Sequence, residues 1–116
     1  MKENIIQQKS LSFALLIIEL YKKLIKRNEF VLSKQILRSG TSIGANIEEA
    51  MGAQSRNDFI SKLSVSYKEA RETEYWLKLL LGGRYITEEE FNSHNEEVVT
   101  ILKLLTAIQK TTKNNT

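Results

Sequence analysis

A stretch that keeps helical periodicity in spite of its glycines places the strongest constraint on the fold of this chain. The sequence RSGTSIGANIEEAM, residues 38–51, contains Gly40 and Gly44 among serine, threonine and asparagine residues. Glycine lowers helix propensity by roughly 1 kcal/mol relative to alanine, so local preference alone does not make this stretch helical. Apolar residues still recur at helical spacing, at Ile36, Ile43, Ile47 and Met51. The stretch therefore predicts a helix whose glycines let another backbone come close.

The composition indicates one globular domain, residues 1–116. Hydrophobic residues make up 41% and charged residues 27%, which distinguishes the chain from a disordered one. There is no cysteine, which excludes disulfides and thiolate chemistry and favours a cytoplasmic location. The net charge of +3 permits an anionic partner without requiring one. The apolar run at residues 11–18 is too short to span a membrane, and charged residues replace a signal-peptide cleavage site after it.

Four amphipathic segments predict helices at about residues 4–27, 33–52, 56–82 and 88–111. Ser33 is the expected N-cap of the second helix, and capping boxes at residues 55–58 and 87–90 begin the third and fourth. Gly82 and Gly83 should end the third helix in a left-handed conformation. Because the connections are short, neighbouring helices should be antiparallel. We therefore expect an all-α, antiparallel up-and-down four-helix bundle, with a polar tail after residue 110 that frays.

The apolar residues of helices 1 and 3 exceed what one core can bury. Residues 15–18 sweep most of the circumference of helix 1, and Tyr75, Trp76 and Leu79 lie partly outside the seam of helix 3. Soluble monomers rarely leave such patches in water, so we expect a closed cyclic homo-oligomer. Within the seam of helix 3, small residues such as Ser66 and Thr73 should face the small residues of helix 2.

Catalytic and metal-binding patterns are weak in this sequence. His94 is the only histidine, and Glu90 precedes it by four residues, whereas di-metal bundles use Glu-x-x-His pairs. His94 instead lies on the apolar stripe of helix 4, as a hydrogen-bonded core or interface histidine would. No nucleophile–base pair, phosphate loop or dinucleotide fingerprint is present. We expect no enzymatic activity, no cofactor and no metal.

Two charged groups have alternative interpretations. The basic set Lys22, Lys23, Lys26, Arg27 and Lys34 gathers where helix 1 turns into helix 2. Such clusters contact phosphates, but lysines at a helix C-terminus also stabilise the helix dipole without any ligand. Antiparallel packing places Arg38 level with Glu69 and Glu72, and Glu49 near Lys62, so we interpret these residues as structural ion pairs. A ligand or nucleic-acid role for Arg38 is the alternative.

The sequences QILRSGTSIGANIEEAMGAQSRNDFISKLS and KEARETEYWLKLL resemble the bacterial four-helix-bundle proteins encoded within 23S ribosomal RNA intervening sequences. The densest motif comprises Arg38, Ser42, Asn46, Ile47 and Glu49 on helix 2 with Glu72 on helix 3. Phe30-Val31-Leu32 and Ala50 depart from the family pattern, which often has a proline before helix 2 and a glycine after the Asn-Ile-x-Glu motif. The resemblance implies a homo-oligomer, commonly a pentamer. A similar bundle is the accessory protein of diversity-generating retroelements, which acts with a reverse transcriptase and nucleic acid.

Two functions remain open at this point. The leading one is a non-enzymatic oligomeric bundle that binds RNA or DNA, or that scaffolds a nucleic-acid enzyme. The alternative is a structural or protein-interaction module whose positive charge only serves solvation.

Overall fold

The fold is described for residues 2–114 of a computed structural model, with side chains from Ile5 onward. Four helices follow in order: α1 Lys2–Lys26, α2 Leu32–Met51, α3 Arg56–Gly82 and α4 Glu88–Asn114. Each helix packs against the next one, and α4 packs against α1. The four helices therefore form an elongated bundle, 49 × 21 × 21 Å in extent. The predicted all-α four-helix bundle is confirmed. The last helix extends to Asn114, beyond its predicted end at about residue 111, and Asn115 and Thr116 lie outside the described residues.

The glycines of α2 face α1. A Cβ atom built on Gly40 would lie 2.8 Å from Cγ1 of Ile17, and one on Gly44 would lie 3.3 Å from Oγ of Ser10. Both α1 residues are buried. The predicted close approach therefore exists, and its partner is the first helix.

The opposite flank of α2 packs against the small residues of α3. The hydroxyl of Thr73 donates to Oγ of Ser39 at 2.8 Å, and the hydroxyl of Ser66 donates to the backbone carbonyl of Ile43 at 2.8 Å. These hydroxyls are buried and need such partners. The prediction that the small seam of helix 3 faces helix 2 is confirmed.

The α1–α2 connection is held by Glu29. Its backbone N–H donates to Leu24 O at 2.9 Å, which closes α1 in a Schellman turn around Asn28 (φ 63°). Its carboxylate accepts the backbone N–H of Ser33 at 2.6 Å and that of Val31 at 3.3 Å. The prediction that Ser33 caps α2 is wrong, because the Glu29 carboxylate already takes the free N–H groups and the Ser33 side chain is buried.

The end of α3 also differs from expectation. Gly83 has a φ of −80°, and the left-handed residue is Arg84, with a φ of 66°. The backbone N–H of Tyr85 donates to Leu80 O at 2.9 Å and closes the same kind of turn one residue later than predicted. The predicted left-handed glycine cap is therefore wrong. The hydrogen bond from Tyr85 to Leu80 requires the residue before Tyr85 to be left-handed, and that residue is Arg84.

The predicted capping box at α4 is complete, whereas at α3 only the Ser55 half of the predicted box is formed. The backbone N–H of Asp58 donates to Ser55 Oγ at 3.0 Å, although the Asp58 carboxylate accepts from Gln54. The backbone N–H groups of Glu90 and Thr87 donate to each other's side chains at 3.1 and 3.0 Å. No helix among residues 2–114 is both long and apolar enough to cross a membrane.

Candidate nucleic-acid interface

All five predicted basic residues lie at one end of the bundle, which carries the α1–α2 and α3–α4 connections. We call this region, residues 22–34 and 84–90, the basic end. Lys22, Lys23 and Lys26 belong to the last turns of α1, Arg27 follows them, and Lys34 belongs to the first turn of α2. The structure brings these residues to one end as expected, and their contacts divide them into two groups.

Arg27 is engaged by Glu90 at the start of α4. Its guanidinium donates to the two carboxylate oxygens at 3.0 and 2.9 Å, and also to Tyr85 O at 2.9 Å. The hydrogen bond from Arg27 lowers the pKa of Glu90 from 4.5 to about 2, against the opposing effect of burial, with a further contribution from the backbone N–H of Thr87. The ammonium of Lys23 lies 4.0 Å from the same carboxylate. Arg27 and Lys23 therefore serve in part to join α1 to α4.

Other cations at the basic end are freer. Lys22 pairs with Glu19 at 3.1 Å on the exposed surface of α1. Lys26 and Lys34 are exposed and make no ion pair with any described side chain. Arg84, in the α3–α4 connection, is also exposed and unpaired within the described part of the chain. Sequence reasoning missed Arg84, although its place directly after two glycines marks it as a turn residue.

The charge at the basic end is unevenly distributed. Glu88, Glu89 and Glu90 form the first turn of α4, whereas Lys26 and Lys34 flank the connection between α1 and α2. Glu29 lies in that connection as well, but its carboxylate is buried against backbone N–H groups. The α1–α2 side is therefore the basic side, and an anion would bind there with least repulsion.

Exposed apolar residues accompany these cations. Phe30 is 51% exposed, Val31 71% and Tyr85 37%. All three lie in the connections of the basic end. Sequence reasoning placed the turn at Asn28 and Glu29 and named Phe30 only within the segment that departs from the family pattern, without assigning it to the basic site. The signal was an aromatic residue directly after a polar turn, at a position with no helical stripe to join.

Arg38 pairs with α3 as predicted. Its guanidinium contacts Glu69 at 3.2 Å and also donates to Glu72, whose carboxylate accepts the indole N–H of Trp76 at 3.0 Å. The Arg38 side chain is 48% exposed, so the pair lies at the surface of the α2–α3 groove. Lys62 contacts Glu49 at 3.0 Å further along the same groove. These contacts support the structural interpretation of the motif.

The remaining motif residues bond to their own helix. The hydroxyl of Ser42 donates to Arg38 O at 2.6 Å, and the amide of Asn46 donates to Ser42 O at 2.8 Å. Both side chains are partly buried on the flank of α2 that faces α3. They satisfy backbone carbonyls and bring no charge to the groove.

His94 is a buried, hydrogen-bonded residue, as its position on the apolar stripe predicted. Its Nδ1–H donates to Glu90 O at 2.7 Å, and the side chain is 8% exposed. Among residues whose side chains are described, no group of three or more acidic or histidine residues is placed to hold a metal ion. His94 thus packs against the core near the start of α4.

Comparisons with known proteins agree with this architecture. The family profile described as 23S rRNA-intervening sequence protein matches residues 2–107. A solved structure from Bacteroides thetaiotaomicron, described as a protein with unknown function from the S23 ribosomal protein family, is 58% identical in sequence. The alignment covers 95% of this chain and 99% of that one, with a TM-score of 0.94. No match was found among curated proteins. With its four-helix bundle, its Arg38 motif and a profile match over most of its length, this chain belongs to the 23S rRNA-intervening sequence protein family.

Proposed function

We propose that this protein is a non-enzymatic, cyclic homo-oligomer that binds RNA or another nucleic acid through its phosphates, alone or as a scaffold for a nucleic-acid enzyme. The observation that carries the proposal is the pair Lys26 and Lys34, exposed and unpaired among the described side chains on the basic side. Lysine ammonium groups contact phosphates without sequence preference and release counterions on binding. A cytoplasmic location is part of the proposal.

Exposed apolar residues support the oligomer. Leu11 is 63% exposed and Leu15 57%, and with the partly buried Ile18 they follow a 4,3 spacing along one flank of α1. Tyr75 and Leu79 present a second exposed apolar surface on α3. Two different surfaces on one chain suit a head-to-tail contact, which closes into a ring if the rotation allows. The family resemblance suggests five subunits.

A ring would multiply a weak basic patch. A few lysines on one subunit bind a polyanion weakly, but each further subunit adds its own set to the same ligand. The avidity of the assembly would then exceed that of one bundle without any new kind of contact. The family description refers to 23S rRNA, and the Bacteroides relative is described as belonging to a ribosomal protein family, which favours RNA as the ligand.

The alternative function is a protein-interaction module that binds no nucleic acid. The contacts of Glu90 favour this alternative. Its carboxylate pairs with Arg27 and lies 4.0 Å from Lys23, so it reduces the positive charge that both residues offer to a ligand. The two functions differ in what they require of Lys26 and Lys34. Only nucleic-acid binding depends on the charge of these two lysines.

The test compares two double variants with equal loss of charge. Lys26→Gln with Lys34→Gln removes the unpaired lysines of the basic end, and Lys110→Gln with Lys113→Gln removes two exposed lysines near the end of α4. Arg27 is kept, because it binds Glu90. Binding to a mixed-sequence RNA pool is followed by fluorescence anisotropy over a series of salt concentrations. We expect the first variant to bind more weakly, with a salt slope reduced by about 1 for each lost phosphate contact.

The control variant should bind as the wild type does. If the wild type and both variants show no measurable binding, with the oligomer intact, the interaction module is favoured; equal and measurable binding by all three would show that Lys26 and Lys34 are not the contacts. Loss of binding in both would indicate that net charge alone attracts RNA.

A further inference from the structure

The α1–α2 connection exposes two large apolar side chains that do not belong to the buried core. Phe30 and Val31 are both more than half exposed, while the neighbouring Glu29 is 6% exposed. About half of the Phe30 side chain lies in water, and that half gains no stabilisation from burial. Its exposure needs a different explanation.

The connection is also well held. On one side of Phe30, the backbone N–H of Glu29 is bonded to Leu24 O, and on the other the N–H groups of Val31 and Ser33 are bonded to the Glu29 carboxylate. The backbone around Phe30 is therefore tied at three points. Its ring is presented by a rigid turn, and little conformational entropy is lost when it contacts a ligand.

Cations flank Phe30 along the chain and lie at the same end of the bundle. Lys26 lies four residues before Phe30 and Lys34 four residues after it, and both are unpaired among described side chains. The bond from Arg27 to Tyr85 O brings the α3–α4 connection, with exposed Arg84, to the same end. An exposed aromatic residue between two exposed lysines in the chain, with a further cation at the same end of the fold, resembles the combination by which proteins bind single-stranded nucleic acids.

We infer that Phe30 stacks on an unpaired nucleobase while Lys26 and Lys34 contact the flanking phosphates, so that the ligand of the basic end is a single strand. The inference rests on the proposed nucleic-acid binding and names its substrate class. A duplex keeps its bases stacked on one another and offers no base face to Phe30, whereas a single strand or a loop does. Every base has a flat aromatic face, so stacking on Phe30 should show little preference for RNA sequence.

An anionic membrane surface is the other ligand that combines apolar and basic contacts. The basic end argues against it, because Glu88 and Glu89 begin α4 at the same end and would be pressed against lipid phosphates. A strand is narrow enough to follow the basic α1–α2 side and leave these carboxylates in water. We therefore assign the surface to a single strand and use vesicles as a comparison in the test.

The experiment measures the binding of three variants of the full chain to a short mixed-sequence RNA, single-stranded or annealed to its complement. Phe30→Ala should lower single-strand affinity at least about fivefold, as loss of one stacked base does, and leave duplex affinity unchanged. Phe30→Trp should retain affinity and show quenched indole fluorescence on binding. Val65→Ala removes an apolar residue that is 40% exposed in the first half of α3, away from the basic end, and should bind each RNA as the wild type does.

Three results would overturn the inference. In the first, Phe30→Ala binds both RNAs as the wild type does, or loses both equally. In the second, Phe30→Ala dissociates the oligomer, which would make Phe30 a subunit contact. In the third, it loses binding only to phosphatidylglycerol vesicles.

The lysine double variant separates the two proposals. If it weakens binding to both RNAs while Phe30→Ala changes neither, only the stacking inference fails. If neither variant changes RNA binding, the proposed function fails as well.

Discussion

The guanidinium of Arg27 and the carboxylate of Glu90 form two parallel hydrogen bonds, at 3.0 and 2.9 Å, that join the end of α1 to the start of α4. Glu90 also accepts the backbone N–H of Thr87 and so closes the capping box of α4. The contact between α1 and α4 is the least extensive of the four helix contacts. One carboxylate thus begins the last helix and fastens it to the first.

Glu90→Gln should lower the free energy of unfolding by about 1–2 kcal/mol at pH 7. Glutamine keeps the shape of the side chain but loses the charge that pairs with Arg27, and the partial exposure of Arg27 limits the cost. Urea denaturation followed by circular dichroism measures the change. The matched control is Glu89→Gln, an exposed neighbour without an ion pair among described side chains, which should change the free energy by less than about 0.5 kcal/mol.

The contribution of Glu90 should depend on pH in a defined direction. Its pKa in the folded protein is about 2, below the ordinary value of 4.5, so the stabilisation is complete above pH 4.5 and is lost as the pH falls towards 2. The wild type and Glu90→Gln should therefore become more similar in stability between pH 5 and pH 2. Urea titrations at several pH values test this, and a constant difference over that range would contradict it.

Gly40→Ala should destabilise the fold by about 1–2 kcal/mol. The new methyl group would lie 2.8 Å from Ile17 Cγ1 and 3.2 Å from its Cβ, and this β-branched, fully buried side chain has little room to move. The gain in helix propensity, roughly 1 kcal/mol, only partly offsets the clash. Thermal and urea unfolding measure the sum of the two effects.

Two controls separate the clash from propensity. Gly82 has no neighbouring atom within 4 Å of a built Cβ, so Gly82→Ala should be neutral or slightly stabilising. In an Ile17→Ala background, Gly40→Ala should cost less than in the wild type, because the opposing side chain is gone. A cost that is the same in both backgrounds would exclude Ile17 as the cause.

Arg38→Ala should cost about 1 kcal/mol in unfolding free energy. The pair with Glu69 and Glu72 is half exposed, and surface ion pairs are worth less than buried ones. Arg71→Ala, which removes a more exposed guanidinium 3.4 Å from Glu74, is the comparison and should change stability less. A loss of several kcal/mol in Arg38→Ala, or none, would show that the groove is more buried or less coupled than this geometry indicates.

Leu11→Glu with Leu15→Glu should dissociate the proposed oligomer. Both leucines are more than half exposed on one flank of α1, so two charges there should block a subunit contact without disturbing the core. Sedimentation equilibrium should give a multiple of 13.4 kDa for the wild type and 13.4 kDa for the variant. Asn92→Glu with Ser93→Glu adds the same charge at exposed positions of α4 and should leave the wild-type mass unchanged. A wild type that sediments at 13.4 kDa would contradict the oligomer.

Local features of the sequence were sufficient to predict much of the fold. The spacing of apolar residues predicted four helices, and Ser55 and Thr87 marked two helix starts through hydrogen bonds that span only three residues. Register along two antiparallel helices then placed Arg38 beside Glu69, as the structure confirms. The gathering of the basic set was predicted in the same way. Its residues lie at the end of α1 and the start of α2, and a short connection holds these two helix ends together.

The tertiary structure decided what these local rules leave open. Whether Gly40 faces α1 or α3 depends on the rotation of α2 about its axis, which the packing of Ile17 sets. Glu29 caps α2 only because a left-handed Asn28 turns the chain back, and Arg27 is engaged only because α4 brings Glu90 to it. The sequence by itself therefore determined the helices and the gathering of cations at one end. The tertiary structure decided which cations are engaged and which remain open to a ligand, since that depends on carboxylates distant in the chain.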